Sequence, residues 1–192
     1  MILLANKAQL SITLLLYHKY GVSSLTPDFC YNQCMIQHPF PPLYGPDSHT
    51  LILGSFPSVK SREAMFFYGH PQNRFWRVLA ALFAEDVPKT TEEKKALTLS
   101  HRLALWDSIA SCEITGSSDA SIRSAQPTDL SVILSNSNVT RIFCNGAQSY
   151  RVYCRYQLPR TGIEAVRLPS TSPANAACSF DRLVEEWRVI LK

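Results

Sequence analysis

Short apolar runs alternate along this chain with segments whose apolar residues recur every three to four positions. The run TLIL at 50–53, closed by Gly54, predicts a buried strand ending in a tight loop. Phe75, Val78, Leu79, Leu82 and Phe83 then keep helical spacing, and Pro88 stops the helix. A polar helix is expected over 91–101, and a second strand over 103–109 that runs into a loop. Thr128 is placed to cap a short helix reaching 134, because its hydroxyl accepts from free backbone amides. A third strand at 139–144 ends before Asn145-Gly146 and leads into a helix over 147–156. The fourth, AVRL at 165–168, stops at Pro169. Phe180, Leu183, Val184, Trp187, Ile190 and Leu191 then mark an amphipathic C-terminal helix. Strands alternating with helices predict an α/β protein with a parallel sheet covered on both faces, whose ligand site lies at the carboxyl ends of the strands.

Composition narrows this picture only a little. With 192 residues, 46% of them apolar, the chain fits one soluble domain with a sizeable core, which excludes disordered and fibrous classes. A net charge of +4 and a pI near 8.8 tolerate a polyanionic partner without demanding one. Of the six cysteines only Cys30 and Cys34 are close neighbours, so the paired spacings of a metal or cluster site are missing. Free thiols in a reducing, cytoplasmic compartment are expected. The apolar stretch at 8–17 is too short and interrupted to span a membrane, and it has neither a basic leader nor a cleavage site of the usual kind. The proline-rich HPFPPLYGP at 38–46 opens the domain proper, so residues 1–37 are expected to be an N-terminal extension or a misassigned start, and 38–192 the folded domain.

The candidate chemistry sits in loops at the predicted strand ends. GSFPS at 54–58 is a Gly/Pro turn after a strand and no P-loop, since it lacks the Gly-Lys-Ser/Thr ending. LPSTSPAN at 168–175 is a plausible helix start, and free amides with hydroxyls at such a start also seat phosphate. GHPQNRFW at 69–76 is harder to explain by packing: a buried helix accounts for Phe75 and Trp76 but not for His70, Gln72, Asn73 and Arg74. Arg74 as a surface charge and His70 as a turn residue remain alternatives. Asp107, in LWDS, is either pocket support or a turn acceptor.

Taken in order, GSFPSVKS, YGHPQNRFW, LALWDSIASCEITGSSDASI, RIFCNGAQSY and RLPSTSPANA resemble the uracil-DNA glycosylase superfamily, most closely its hypoxanthine-DNA glycosylase branch, over 38–192. The resemblance implies a three-layer α/β/α fold around a central four-stranded parallel sheet. It also implies an enzyme that flips a damaged nucleotide out of DNA and hydrolyses its base from the sugar. Where mismatch-specific members carry a water-activating Asn before the proline of the first motif, this chain has Phe56, and the resemblance moves the catalytic role to Asn73. A carboxamide can aim water at C1′ as the glycosidic bond breaks. Base contacts are implied for Gly54, Ser55, Phe56, Tyr68 and Asn145, with Phe56 a candidate stacking face. Asn145-Gly146 is equally an ordinary turn. Phosphate contacts are implied for Ser170, Thr171, Ser172 and Arg74, while Leu168 replaces the histidine usual in that last motif. No cofactor or metal is expected; the partner is DNA carrying a deaminated base, and the enzyme a monomer. No lysine lies in the motif loops apart from Lys60, so a water mechanism without strand cleavage is expected. The alternatives are a uracil or mismatched-thymine glycosylase, or a non-catalytic binder on the same fold.

Overall fold

A computed structural model describes residues 35–192. The expectations for 1–34, including Cys30 and Cys34, lie outside the described residues. Seven strands fall into two sheets. Thr50–Gly54 (β2), Leu103–Asp107 (β3), Arg141–Asn145 (β6) and Ala165–Leu168 (β7) form a four-stranded sheet in the order β3-β2-β6-β7, every pair parallel.

Alternate residues of these strands face opposite layers. Ile52, Leu105, Phe143 and Leu168 pack on the helices Phe75–Phe83 (α2) and Phe180–Trp187 (α7), whose Phe75, Val78, Leu79, Leu183 and Trp187 are buried. Leu51, Leu53, Ala104, Ile142 and Cys144 pack on the other side against Leu130, Ile133 and Tyr153. The result is the three-layer α/β/α arrangement. The polar helix is Thr91–Ser100 (α3), started by a reciprocal capping box between Thr90 and Glu93.

Several elements differ from the sequence-based expectation. The segment 103–109 is not one strand. β3 stops at Asp107, and Ile109–Glu113 (β4) turns away to pair antiparallel with Ile36–Gln37 (β1) and Arg123–Pro127 (β5) in a small second sheet. The domain therefore reaches upstream of His38. A short helix, Val59–Ala64 (α1), follows the GSFPS loop and is capped by Ser58. The helix Ser131–Leu134 (α4) is not capped by Thr128. Thr128 N–H bonds Ser108 O at the end of β5, and the Asp129 carboxylate takes the capping role by accepting from Ser131 N–H at 3.0 Å. The helix after β6 begins as Ala147–Val152 (α5), passes through a π-helical turn at Tyr153–Gln157 and finishes as Leu158–Thr161 (α6). That turn swings Gln157 inward, where its amide nitrogen donates to Ser108 O and Thr128 O.

Candidate active site

After β2 the chain crosses to β3 on one side and later reaches β6 on the other, so strand order reverses between β2 and β6. In open parallel sheets this is where a crevice forms at the carboxyl ends. A cavity of about 800 Å³ lies there. Its lining comes from the 54–58 loop, Asp107 and Asn145 at strand ends, Tyr68 and Asn73 before α2, the 167–175 loop, and Ser117–Ala120 from the β4–β5 hairpin. A second recess, beside Ala84–Lys89, gathers none of the residues singled out in the sequence.

One wall is a closed hydrogen-bond relay. Asn145 Nδ2 donates to Thr171 Oγ1 at 2.9 Å, and Thr171 Oγ1 donates to Asn73 Oδ1 at 2.9 Å. Thr171 N–H returns a bond to Asn145 Oδ1 at 3.0 Å. Asn73 Oδ1 also accepts from Phe75 N–H at 3.0 Å, at the start of α2. Both lone pairs of Asn73 Oδ1 are thus engaged, which leaves Nδ2 as its free edge among the described residues. Thr171 is fully buried and Asn145 nearly so.

Arg74 stands behind this wall. Its guanidinium donates to the carbonyls of Ser172, Asn175 and Cys178, with a longer contact to Thr171 O, and its backbone N–H also reaches Thr171 O. It latches the 171–178 loop, so a phosphate contact would have to use its one remaining N–H. Within that loop Ser172 N–H bonds Ser170 Oγ and Ala174 N–H bonds Ser172 Oγ, which leaves both hydroxyl hydrogens to donate elsewhere. Gly146 has φ +98°, and a Cβ there would come within 3.1 Å of Ser170 Cβ, so the β6 turn admits the loop only with glycine.

The floor is built differently. Asp107 Oδ1 occupies the space where a Cβ on Gly54 would sit, 2.1 Å from that point, and Tyr68 Oη lies 3.3 Å from it. Asp107 Oδ1 accepts no hydrogen bond among the described residues, and the buried Tyr68 Oη has no partner there within hydrogen-bond geometry, although the nearby Asn145 side chain favours its ionised form slightly. Burial first, and the Asp107 charge second, push the Tyr68 hydroxyl far above the ordinary tyrosine range, so it stays protonated and able to donate. Tyr68 stacks on Phe75 with ring centroids 3.7 Å apart. Phe56 is only 7% exposed and packs with Ile109, Cys112, Ile122 and Val152, so little of its ring is open to a base.

Ser55 Oγ donates to Asp119 Oδ1 at 2.7 Å. Desolvation pushes this carboxyl above its usual range, although the residue as a whole is exposed; the Ser55 bond opposes the rise and the Asp107 charge adds to it. His38, Asp119 and Arg182 were not among the expected site residues. His38 bonds Asp107 from 69 positions away, and nothing local to either residue signals the pairing. Lys60 is exposed, pairs with Glu63 at 2.8 Å and does not line the cavity. Among the described residues no group of His, Cys, Asp and Glu is arranged to hold a metal ion.

A four-stranded parallel sheet with this crevice and these loops defines a protein of the uracil-DNA glycosylase class. The solution NMR structure of a candidate uracil DNA glycosylase from Methanosarcina acetivorans superposes with a TM-score of 0.69 at 29% identity, covering 83% of this chain and all of the other. No protein-family model matches the chain. A protein named hypoxanthine DNA glycosylase from Methanosarcina acetivorans is 33% identical over 159 residues, 82% of this chain and 99% of that protein. Another of the same name, from Methanosarcina barkeri, is 30% identical over 140 residues, 71% of this chain and 86% of its own length. The chain belongs to the hypoxanthine-DNA glycosylase family.

Proposed function

We propose that this glycosylase excises hypoxanthine, the deamination product of adenine, from DNA by hydrolysing the N-glycosidic bond. The observation that carries this reading is the placement of an acceptor beside a donor on the cavity floor. Asp107 Oδ1 and the protonated Tyr68 hydroxyl both lie over Gly54. Hypoxanthine presents N1–H beside the O6 acceptor and matches that pair; adenine in the same pose presents N1 as an acceptor to the Asp107 carboxylate and is opposed there. A carboxylate facing an acceptor is a repulsive element, and such elements give discrimination. In this reading the backbone amides of Ser55 and Phe56, in the loop that lines the cavity, assist at the base.

Asn73 positions the hydrolytic water. Its Oδ1 is held by two donors, so the carboxamide is fixed before substrate arrives, and a neutral amide is a weak base. The glycosidic bond accordingly breaks ahead of water attack, and the oxocarbenium-like sugar is stabilised by fixed dipoles and by the DNA phosphates. Asn145 secures Thr171 and through it Asn73. Ser170, Ser172 and Arg167, at the mouth, meet the backbone beside the flipped nucleotide. Among the described residues no lysine lines the cavity, which supports base release that leaves an intact abasic strand. The enzyme is read as a cytoplasmic monomer; its four described cysteines are free, and among the described residues no helix is long and apolar enough to cross a membrane.

The test is a panel of oligonucleotides carrying hypoxanthine, uracil, mismatched thymine or adenine. Alkali-labile sites should appear in the hypoxanthine strand and not in the adenine strand, with no break before alkali and no adduct trapped by borohydride. Uracil is the second reading, because its N3–H beside O4 offers the same edge. Cleavage of uracil but not hypoxanthine would replace the first reading by the second.

A further inference from the structure

His38 lies at the end of β1, outside every loop that the sequence singled out, yet its ring reaches the cavity floor. Its backbone N–H donates to Ala110 O at 2.8 Å, which ties it to β4. Its Nδ1 lies 2.8 Å from Phe40 O and its Nε2 lies 2.8 Å from Asp107 Oδ2. A carbonyl oxygen can only accept, so Nδ1 carries a hydrogen towards Phe40 O; the Nε2 contact is then satisfied either by a hydrogen on Nε2 facing an ionised Asp107 or by a protonated Asp107 donating to Nε2. With a single ring proton and an ionised Asp107, one nitrogen lone pair would face an oxygen lone pair.

We propose that His38 is a positioning residue of this glycosylase: as an imidazolium it keeps Asp107 ionised and turned so that Oδ1 faces the base. The proposal rests on the reading of Asp107 as a base contact. The surroundings support a buried ion pair. The His38 and Asp107 side chains are 5% and 7% exposed, so the bond between them is shielded from water. The imidazole lies nearly parallel to the Trp106 ring at 5.1 Å, and meets Phe40 at 4.5 Å and Phe56 at 6.1 Å, both edge to face. A cation held among aromatic rings is favoured there. Among the described residues that hydrogen-bond or stack on its ring, Asp107 is the one titratable partner; Phe67 supplies the remaining ring, and Cys112 on the neighbouring β4, with Arg62 beyond Phe56, are the further titratable groups on that side. The Tyr68 hydroxyl and the Asp119 carboxyl lie farther out and feel the Asp107 charge. Neither supplies a cation, so the countercharge for Asp107 comes from His38.

The function follows from the geometry of the carboxylate. With Oδ2 fixed by His38, Oδ1 points at the Gly54 side of the floor as an acceptor. Without the imidazolium, Asp107 would be protonated or would rotate. The floor would then offer an O–H where the deaminated base needs an acceptor.

Two measurements test this. In the DNA-free protein, long-range proton–nitrogen NMR at the pH of the cleavage assay should show both His38 ring nitrogens protonated, and Asp107→Asn should return the ring to a neutral pattern. A neutral His38 ring in the unsubstituted protein would overturn the proposal, whatever the enzyme cleaves. The second measurement compares His38→Gln, whose amide can still donate to Asp107, with His38→Asn, which reaches only towards Phe40 O. Single-turnover cleavage of hypoxanthine should fall about 10- to 100-fold in His38→Asn, the range for losing a charge-assisted hydrogen bond, and clearly less in His38→Gln. Affinity for lesion DNA, set largely by phosphate contacts, should change less than about threefold in either. The pH profile of the rate should change shape in His38→Gln, whose amide does not titrate. Equal losses in both variants that track their melting temperatures, with an unchanged pH profile, would make His38 a packing residue. Absence of any cleavage of hypoxanthine by the unsubstituted protein would instead sink the proposed substrate, and the NMR measurement would still decide the state of His38.

Discussion

The two sides of the cavity use their polar atoms in opposite ways. On the wall, Asn145, Thr171, Asn73 and the Arg74 latch bond one another or backbone, and Asn73 Oδ1 takes two donors at once. On the floor, the buried Tyr68 Oη has no partner within hydrogen-bond geometry among the described residues, and Asp107 has one oxygen unused. A buried polar group left unpaired costs about 1–3 kcal/mol. The wall is therefore finished without substrate, while the floor lacks partners that a base edge can supply. Division of this kind suits an enzyme that must hold its water-aiming group rigid and also favour one base over another: preorganisation belongs to the wall, selection to the floor.

The comparison is broken most severely at Asn73. Asn73→Ala should lower single-turnover cleavage by roughly 10²- to 10³-fold, the scale for losing one oriented polar group in a transition state, with little change in binding to lesion DNA. It also removes the acceptor for Phe75 N–H, at a stability cost of about 1 kcal/mol. Asn73→Asp separates the two effects. It keeps both bonds to Oδ1 and converts the free edge from donor to acceptor, so the fold should hold while cleavage falls as far as in Asn73→Ala. Near-normal cleavage by Asn73→Asp would assign the working contact to an acceptor.

Thr171→Val is the next largest. It preserves shape and deletes the hydroxyl that joins Asn145 to Asn73. The buried Asn145 amide and the partly buried Asn73 amide each lose a partner, so chemical denaturation should show a loss of about 1–3 kcal/mol. Cleavage should fall by about tenfold as Asn73 gains freedom. An unchanged rate at lowered stability would show that Asn73 needs only the Phe75 bond to stay in place.

The arginines sharpen the contrast between wall and mouth. Arg167 is exposed at the cavity rim, and Arg167→Ala should reduce the slope of log affinity against log salt by about 0.9, the effect of one phosphate contact on duplex DNA. Arg74→Lys keeps the charge and loses the fork that holds Ser172, Asn175 and Cys178, so it should loosen the loop, lower the melting temperature and leave the salt slope nearly unchanged. A fall in slope for Arg74→Lys would return Arg74 to the DNA surface.

What was legible in the sequence divides along the same line. The parallel strands stood out because each is a short apolar run, three of them closed by Gly, Asn or Pro, and the loops at their ends carry most of the wall. Asn73, Asn145 and the Ser170–Ser172 loop are therefore visible in the motifs. The floor depends on a contact across 69 positions, and His38 sits in a proline-rich stretch that reads as a lead-in. The second sheet was hidden for a local reason. RSAQP of β5 is polar, mostly exposed and ends in proline, so it carries no strand periodicity, and without it β4 looks like a tail of β3. The latch role of Arg74 was hidden too, because its carbonyl partners lie about a hundred residues downstream.

The smallest expected effect uses two buried cysteines as reporters of the two regions. Cys144 precedes Asn145 on the wall side, and burial pushes its thiol up to about 12, against a weaker lowering by Ser149. Cys112 lies in the small sheet beside Phe56 on the floor side, with burial pushing it up to about 11. Thiolate is the reactive form, so at pH 8 both should resist alkylation while the half-buried Cys154 reacts first. Burial holds both as the thiol, so access decides between the two slow sites. Cys112 is covered by thinner structure: the two-residue strand β1 and a hairpin whose outer strand is largely exposed, whereas Cys144 is inside the central sheet. Such segments open with less free energy than core strands. Pulsed alkylation read by mass spectrometry should therefore label Cys154, then Cys112, then Cys144, with activity unaffected by the first modification. Thr171→Val should speed Cys144 and leave Cys112 unchanged, because the relay that it breaks belongs to the wall alone. Labelling of Cys144 before Cys112 would show that the closed relay does not make its side of the cavity the more rigid one.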